Sequence, residues 1–209
     1  MTAARELDPV ELLEQLVRID SVNASMGGQG ERAMVEAVAR ILADIGCDVR
    51  THDVPSVDRP NVVATLPGRD TGRTLLLEAH MDTVAMPREP GPIRRVDGRL
   101  YARGACDTKG SAAAMLAALS RLASLDDRPS VVFAGVSDEE AAMTGSRALL
   151  EQLPAVDAAI VGEPTSLRPV RAHNGMVRFR IIARGTAAHT SRAHLGVNAI
   201  AAAARVVLA

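Results

Sequence analysis

One imidazole and a set of carboxylates close three apolar runs of this 209-residue chain. The runs are Leu75-Leu-Leu-Glu-Ala-His80-Met-Asp82, Val131-Val-Phe-Ala-Gly-Val-Ser-Asp138-Glu139-Glu140 and Ile160-Val-Gly-Glu163. A further acid, Asp107, stands in Gly104-Ala-Cys-Asp-Thr-Lys-Gly110. A histidine among carboxylates suits zinc, cobalt or manganese better than calcium, which prefers an all-oxygen shell. Carboxylates crowded together without a cation repel one another and bind protons more tightly. Two divalent ions would remove that penalty. Taken singly, each residue also has an ordinary explanation: a loop histidine, acids at a helix start, a helix cap at Asp107, a strand-to-turn residue at Glu163. What lifts the set is position, since each member follows a strand or precedes a helix.

The elements that must position these groups can be read along the chain. Asp8-Pro9 opens a helix whose apolar face carries Val10, Leu12, Leu13, Leu16 and Val17. After the Gly-rich loop Ser25–Gly30, a second helix is expected from Glu31 to Ile45, ended by Gly46. Strands are expected at Asp48–Val54, Asn61–Leu66, Thr74–Ala79, Ser130–Val136 and Asp157–Val161, with a hairpin turn at Asp97-Gly98. An Ala-rich helix is expected after Lys109-Gly110, running to about Ser124, and another from Thr144 to Leu153. In open α/β sheets, ligands bind at the carboxyl ends of the strands, so these distant acids would converge at one edge. The alternation predicts a three-layer α/β/α domain over residues 1–168 around a mixed sheet. The texture changes after Pro164. Val170–His173 and Val177–Ala183 read as strands of a second, α+β unit, residues 169–209, which ends inside an Ala-rich helix starting near Gly196.

Composition narrows the function classes. Lys and Arg number 24 against 25 Asp and Glu, a formal charge of −1, and the chain has one Tyr, two Phe and no Trp. Bulk attraction to nucleic acid or to an anionic membrane is not expected, and stacking platforms for single strands are nearly absent. Cys47 and Cys106 are too few for a disulfide framework or a cysteine-based zinc site. With no signal peptide and no apolar run of about 20 residues, a cytoplasmic protein is expected. Gly104–Ser111 has the wrong order for a phosphate loop, because Lys109 precedes Gly110. Gly27-Gly28-Gln-Gly30 follows no strand and makes a poor dinucleotide fingerprint.

The pieces His80-Met-Asp82, Gly104–Gly110, Asp138-Glu139-Glu140 and Gly162-Glu163-Pro164-Thr165, in this order, resemble the dinuclear zinc aminoacylase and carboxypeptidase family. Gly162–Gly175 is most similar to acetylornithine deacetylase, which belongs to arginine biosynthesis. Ala188-His189 to Ile200 resembles the opening of the family's inserted dimerisation domain. The resemblance implies a zinc-peptidase-like catalytic domain, two divalent ions (zinc first, cobalt or manganese next) and a homodimer. It implies that His80 and Glu163 hold one ion, Glu140 the other, and Asp107 both. Asp82 would orient the His80 imidazole. Glu139 would be the general base acting on a metal-bridging water in hydrolysis of an N-acyl amino acid or dipeptide amide. His189 would reach a partner subunit's active site and stabilise the oxyanion, or else cap a turn in its own subunit.

The family carries one more histidine ligand, in a returning C-terminal part of the catalytic domain. His52, His173 and His194 do not obviously replace it. The sequence is therefore expected to be the N-terminal portion of such a hydrolase, with little activity by itself. The rival reading is a metal-binding or dimerisation remnant without turnover.

Overall fold

The computed structural model describes residues 6–54, 59–68, 72–86, 91–177 and 179–208, which fall into two compact units, Met1–Leu167 and Arg168–Ala209. The first unit is built on a five-stranded mixed sheet. Its strands are β1 (Asp48–Asp53), β2 (Pro60–Leu66), β3 (Thr74–His80), β6 (Ser130–Val136) and β7 (Ala158–Val161), in the order β1-β2-β6-β3-β7. β3 runs parallel to both β6 and β7, whereas β2 is antiparallel to both β1 and β6. A two-stranded hairpin, β4 (Arg94–Val96) and β5 (Arg99–Tyr101), turns at Asp97-Gly98 as expected.

Alternation along the strands explains the layers. Val131 and Phe133 join one buried cluster, with Val62, Ala64, Leu77, Ala79 and the apolar faces of three helices. These are α1 (Pro9–Leu16), α2 (Arg32–Ile45) and α3 (Lys109–Ala123). Val132, Ala134 and Val136, one residue out of phase, pack on the other face with Leu76 and Leu149 of α4 (Thr144–Leu150). A strand buried on both faces must be apolar, as β6 is from Val131 to Val136.

The helix ends follow local chemistry. Asp8 Oδ1 accepts from the Val10 and Glu11 N–H groups at 2.7 and 3.0 Å, and Pro9 occupies the first turn, where its missing donor costs nothing. Gly46, at φ +96°, ends α2 in the left-handed region. α4 stops three residues short of the expected Leu153. Pro154 follows that residue, and a proline disfavours helical backbone in the residue before it.

In the second unit a short 3-10 helix (Thr190–Leu195) precedes α5 (Ala199–Val207), capped by Asn198. Thr186 and Val197 exchange two backbone hydrogen bonds of 3.0 Å in an isolated antiparallel bridge. The strands expected at Val170–His173 and Val177–Ala183 are not formed by the described residues there; Arg178 lies outside the described set. An apolar alternation becomes a strand only when another backbone pairs with it, and among the described residues none pairs with these segments. No helix among the described residues is long and apolar enough to cross a membrane.

Candidate metal centre

Because β3, β6 and β7 are mutually parallel, their carboxyl ends lie on one edge of the sheet. His80 pairs in register with Val136, so the residues that follow each strand come off side by side: Met81-Asp82 beside Ser137–Glu140. Gly162, whose N–H donates to Glu78 at 2.8 Å, brings Glu163 to the same edge. Asp107 arrives from the loop before α3. There Thr108 stands at the cap and donates its hydroxyl to the Gly162 carbonyl, leaving the Asp107 carboxylate free to face His80.

Donor atoms of His80, Asp107 and Glu140 all lie within 4.8 Å of one another. His80 Nε2 is 3.0 Å from Asp107 Oδ1 and 3.9 Å from Glu163 Oε1. The imidazole is buried, whereas the Asp107 and Glu163 side chains keep 49% and 40% of their exposure, so a small molecule can reach them. His80 Nδ1 lies 3.0 Å from the Asp82 carbonyl oxygen, which can only accept. Nδ1 must therefore carry a proton and donate it, which turns Nε2 toward the acids.

The electrostatics of the cluster call for a cation. Burial alone would lower the His80 imidazole, but hydrogen bonds to Asp82 and Asp107 and the nearby charges of Asp82 and Glu163 overcome it and lift it to about 10. Burial, then the charge of Asp107, raises Glu140 above its ordinary value; burial raises Glu163, with Asp107 adding to the effect. Glu78, half-buried just behind the edge, is pushed up to about 7 by its partial burial, with Glu163 and Glu139 adding. A donor set that gathers protons in this way is short of positive charge, and imidazole plus carboxylate oxygens are the donors that zinc, cobalt and manganese accept. The residues fit divalent cations.

Asp82 does more than sequence reading assigned to it. Its Oδ1 lies 3.5 Å from His80 Nδ1, and its two oxygens also accept the Glu139 and Glu140 backbone N–H groups at 3.1 and 3.0 Å. One fully buried carboxylate thus ties the histidine to the acidic turn. Burial works against its ionisation, but the hydrogen bonds of His80, Asn23 and the Glu140 N–H outweigh burial and hold it below the usual carboxylate range.

Behind the turn lies a layer that sequence reading missed. Asp138, at φ +67°, accepts from Arg59 Nη1 at 2.8 Å, from Asn23 Nδ2 at 3.1 Å and from the Thr144 hydroxyl at 2.6 Å, and its N–H donates to Glu31 Oε1 at 3.1 Å. Asn61 holds the same segment by its backbone: its Oδ1 accepts from Ser137 N–H and its Nδ2 donates to the Gly145 carbonyl. Arg59 and Asn61 are there because β2 runs against β6, which puts its first residues at the carboxyl edge of its neighbour. Arg59-Pro60-Asn61 was the available signal, a cation and an amide opening an apolar strand, but strand direction is not written in one sequence.

Lys109 is buried, and its Nζ donates to the Leu16 and Ile19 carbonyls at the end of α1, at 3.1 and 2.7 Å. His189 belongs to the second unit, where it caps the 3-10 helix: its Nδ1 accepts from the Ser191 N–H at 3.2 Å and lies 2.9 Å from the Ser191 hydroxyl.

Residues 76–208 match the family model described as Peptidase family M20/M25/M40. Among solved structures, a tripeptidase from Staphylococcus aureus superposes with a TM-score of 0.69 at 22% identity, over 98% of this chain and 56% of its own. Human carnosine dipeptidase 1 does so at 0.63 and 23%, over 85% of this chain and 41% of its own. A Bacillus subtilis protein described as a dinuclear metal binding peptidase of the M20 family gives 0.52 and 22%, over 73% and 41%. The chain therefore spans between two fifths and three fifths of the length of these structures, and at such identities they show a shared fold. With a family match over more than half of its residues, the chain belongs to peptidase family M20/M25/M40.

Proposed function

We propose that this chain carries the metal-binding and proton-transferring half of an amide hydrolase acting on N-acyl amino acids or dipeptides. The observation that carries the reading is the convergence of His80, Asp107 and Glu140 within 4.8 Å at the edge where Glu163 also stands. His80 and Glu163 would hold one divalent cation, Glu140 a second, and Asp107 both. Two such ions, zinc first with cobalt or manganese as substitutes, would polarise the scissile carbonyl and make water a stronger nucleophile at neutral pH.

The chain's own residues do the rest. His80 presents Nε2 because Asp82 holds Nδ1–H. Glu139 is half-buried next to Glu140, with its backbone fixed by Asp82. It takes the proton from the attacking water on a carboxylate oxygen and returns it to the leaving nitrogen. His189 is assigned a contact to the carbonyl oxygen from a second copy of the chain, on the resemblance of Ala188–Ile200 to a dimerisation domain. The two free cysteines fit the cytoplasmic placement.

Acetylornithine-like recognition is supported by the Gly162–Gly175 segment, and the dipeptidase reading by a structural relative described as a dipeptidase. The two separate by assay. The intact protein loaded with zinc or cobalt is offered N-acetylornithine, other N-acetyl amino acids and a dipeptide panel, beside Glu139→Gln. Turnover of one class, lost by at least about a hundredfold in Glu139→Gln with metal content unchanged, is expected. A folded, metal-loaded protein that cleaves none of them would favour the metal-binding remnant instead.

A further inference from the structure

The turn Asp138-Glu139-Glu140 has an unusual foundation. Asp138 is 2% exposed and adopts φ +67°, a conformation that a residue with a side chain holds only when its surroundings over-determine it. Four groups do so here: Arg59, Asn23, Thr144 and Glu31. Arg59 stands at their centre. Its Nη1 faces Asp138 Oδ1 at 2.8 Å, Asn23 Oδ1 at 3.0 Å and Glu31 Oε1 at 3.2 Å. Asn23 then passes the constraint on, because its Nδ2 donates to Asp82 at 2.7 Å as well as to Asp138. Asp82 in turn holds the Glu139 and Glu140 N–H groups and faces His80. A chain of hydrogen bonds thus runs from Arg59 through Asn23 and Asp82 to the Glu139 and Glu140 backbone, with the Asp82 carboxylate facing His80 at its end.

We propose that Arg59 is a positioning residue: through Asp138 and Asn23 its guanidinium sets where Glu139 and Glu140 stand relative to His80. The proposal rests on the reading of Glu140 as a ligand of the second cation and Glu139 as the base. Arg59 touches neither substrate nor metal in this scheme. It acts on the second cation far more than on the first, because His80, Asp107 and Glu163 leave other strands and loops, whereas Glu140 leaves the turn that Arg59 holds. Outer partners of metal ligands have this kind of leverage, typically about ten- to a hundredfold in affinity or activity.

The test is titration of the metal-stripped intact protein with cobalt(II) alone, followed by its visible absorption, together with kcat and KM on whichever amide is cleaved. Arg59→Met removes the guanidinium and Arg59→Lys keeps the charge without the planar fork. In Arg59→Met the second cobalt equivalent is expected to weaken by at least roughly tenfold, with its absorption band altered, while the first equivalent keeps its affinity. Its kcat should fall with little change in KM, and Arg59→Lys should recover part of both losses. If leaving Asp138 and Glu31 without a buried cation prevents Arg59→Met from folding, Arg59→Lys carries the test alone, with a weakened second equivalent at near-wild-type melting temperature. A folded variant with an unchanged second equivalent overturns the proposal, as does equal weakening of both equivalents, which marks a purely structural role. Wild-type protein that takes up no second equivalent overturns the two-metal reading itself, and that result is seen before any variant is made.

Discussion

Two thiols of one chain sit in different surroundings. Cys47 follows the glycine that ends α2 and packs partly against the main core, whereas Cys106 is exposed in the loop beside Asp107. Burial pushes the Cys47 thiol from 9.0 up to about 11, with Arg128 opposing weakly. Since the thiolate is the reactive form, iodoacetamide at about pH 8 should label Cys106 at least roughly tenfold faster than Cys47. In denaturant the two rates should converge. The sign of the stability effect follows from the raised value: the contribution of Cys47 is complete below 9.0 and is lost as pH rises toward 11, where the unfolded chain ionises first. Peptide mapping by mass spectrometry reads the labelling order, and equal labelling of both thiols in the native protein would contradict the placement of Cys47.

At the scale of elements, the acidic turn depends on how closely α4 can approach the end of β6. Gly145, in the first turn of α4, donates its N–H to the Ser137 carbonyl at 3.1 Å, and its own carbonyl accepts from Asn61. A Cβ at this position would lie 2.2 Å from the Ser137 oxygen and 2.6 Å from its nitrogen, and both are backbone atoms that cannot swing aside. Gly145→Ala should therefore push α4 off the sheet and cost about 1–3 kcal/mol. Urea unfolding of the intact protein measures this, and a midpoint equal to wild type would show that the approach is looser than the geometry says. The same element explains the short α4. Its beginning is fixed by contact with β2 and β6, and its end is left to local propensity and Pro154.

For the molecule as a whole, cation binding and folding are linked. The donors come from β3, β6, β7 and the loop before α3, so the cluster exists only when the sheet is assembled. A ligand that binds only the folded state raises stability by about 2.7 kcal/mol at a hundred times its dissociation constant. Stripping divalent metal with a chelator should therefore lower the melting temperature, and zinc, cobalt or manganese should restore it, whereas magnesium should do so poorly because it disfavours nitrogen donors. Scanning calorimetry decides the matter; an unchanged melting temperature after verified metal removal would count against any cation at His80.

The candidate donors were legible without a structure because strand ends are legible: an apolar run stopping at His80-Met-Asp82, Asp138-Glu139-Glu140 or Gly162-Glu163 announces both the strand and the residues that leave it. The doubly apolar β6 likewise announces a sheet covered on both faces. Asn23 and Glu31 were not legible, since nothing local marks them out, and Arg59 showed only as a cation opening an apolar strand. Their roles follow from β2 running against β6 and from the loop before α2 folding under the turn, both of which are long-range pairings. Val177, Phe179 and Ile181 show the converse, a strand pattern in residues that form no strand for want of a pairing partner among the described residues. Side-chain types and their spacing determined which chemistry this chain can do, because donors and apolar periodicity are local properties. Only the tertiary structure decided which buried groups hold those donors in place, because strand direction and pairing are properties of the assembled sheet.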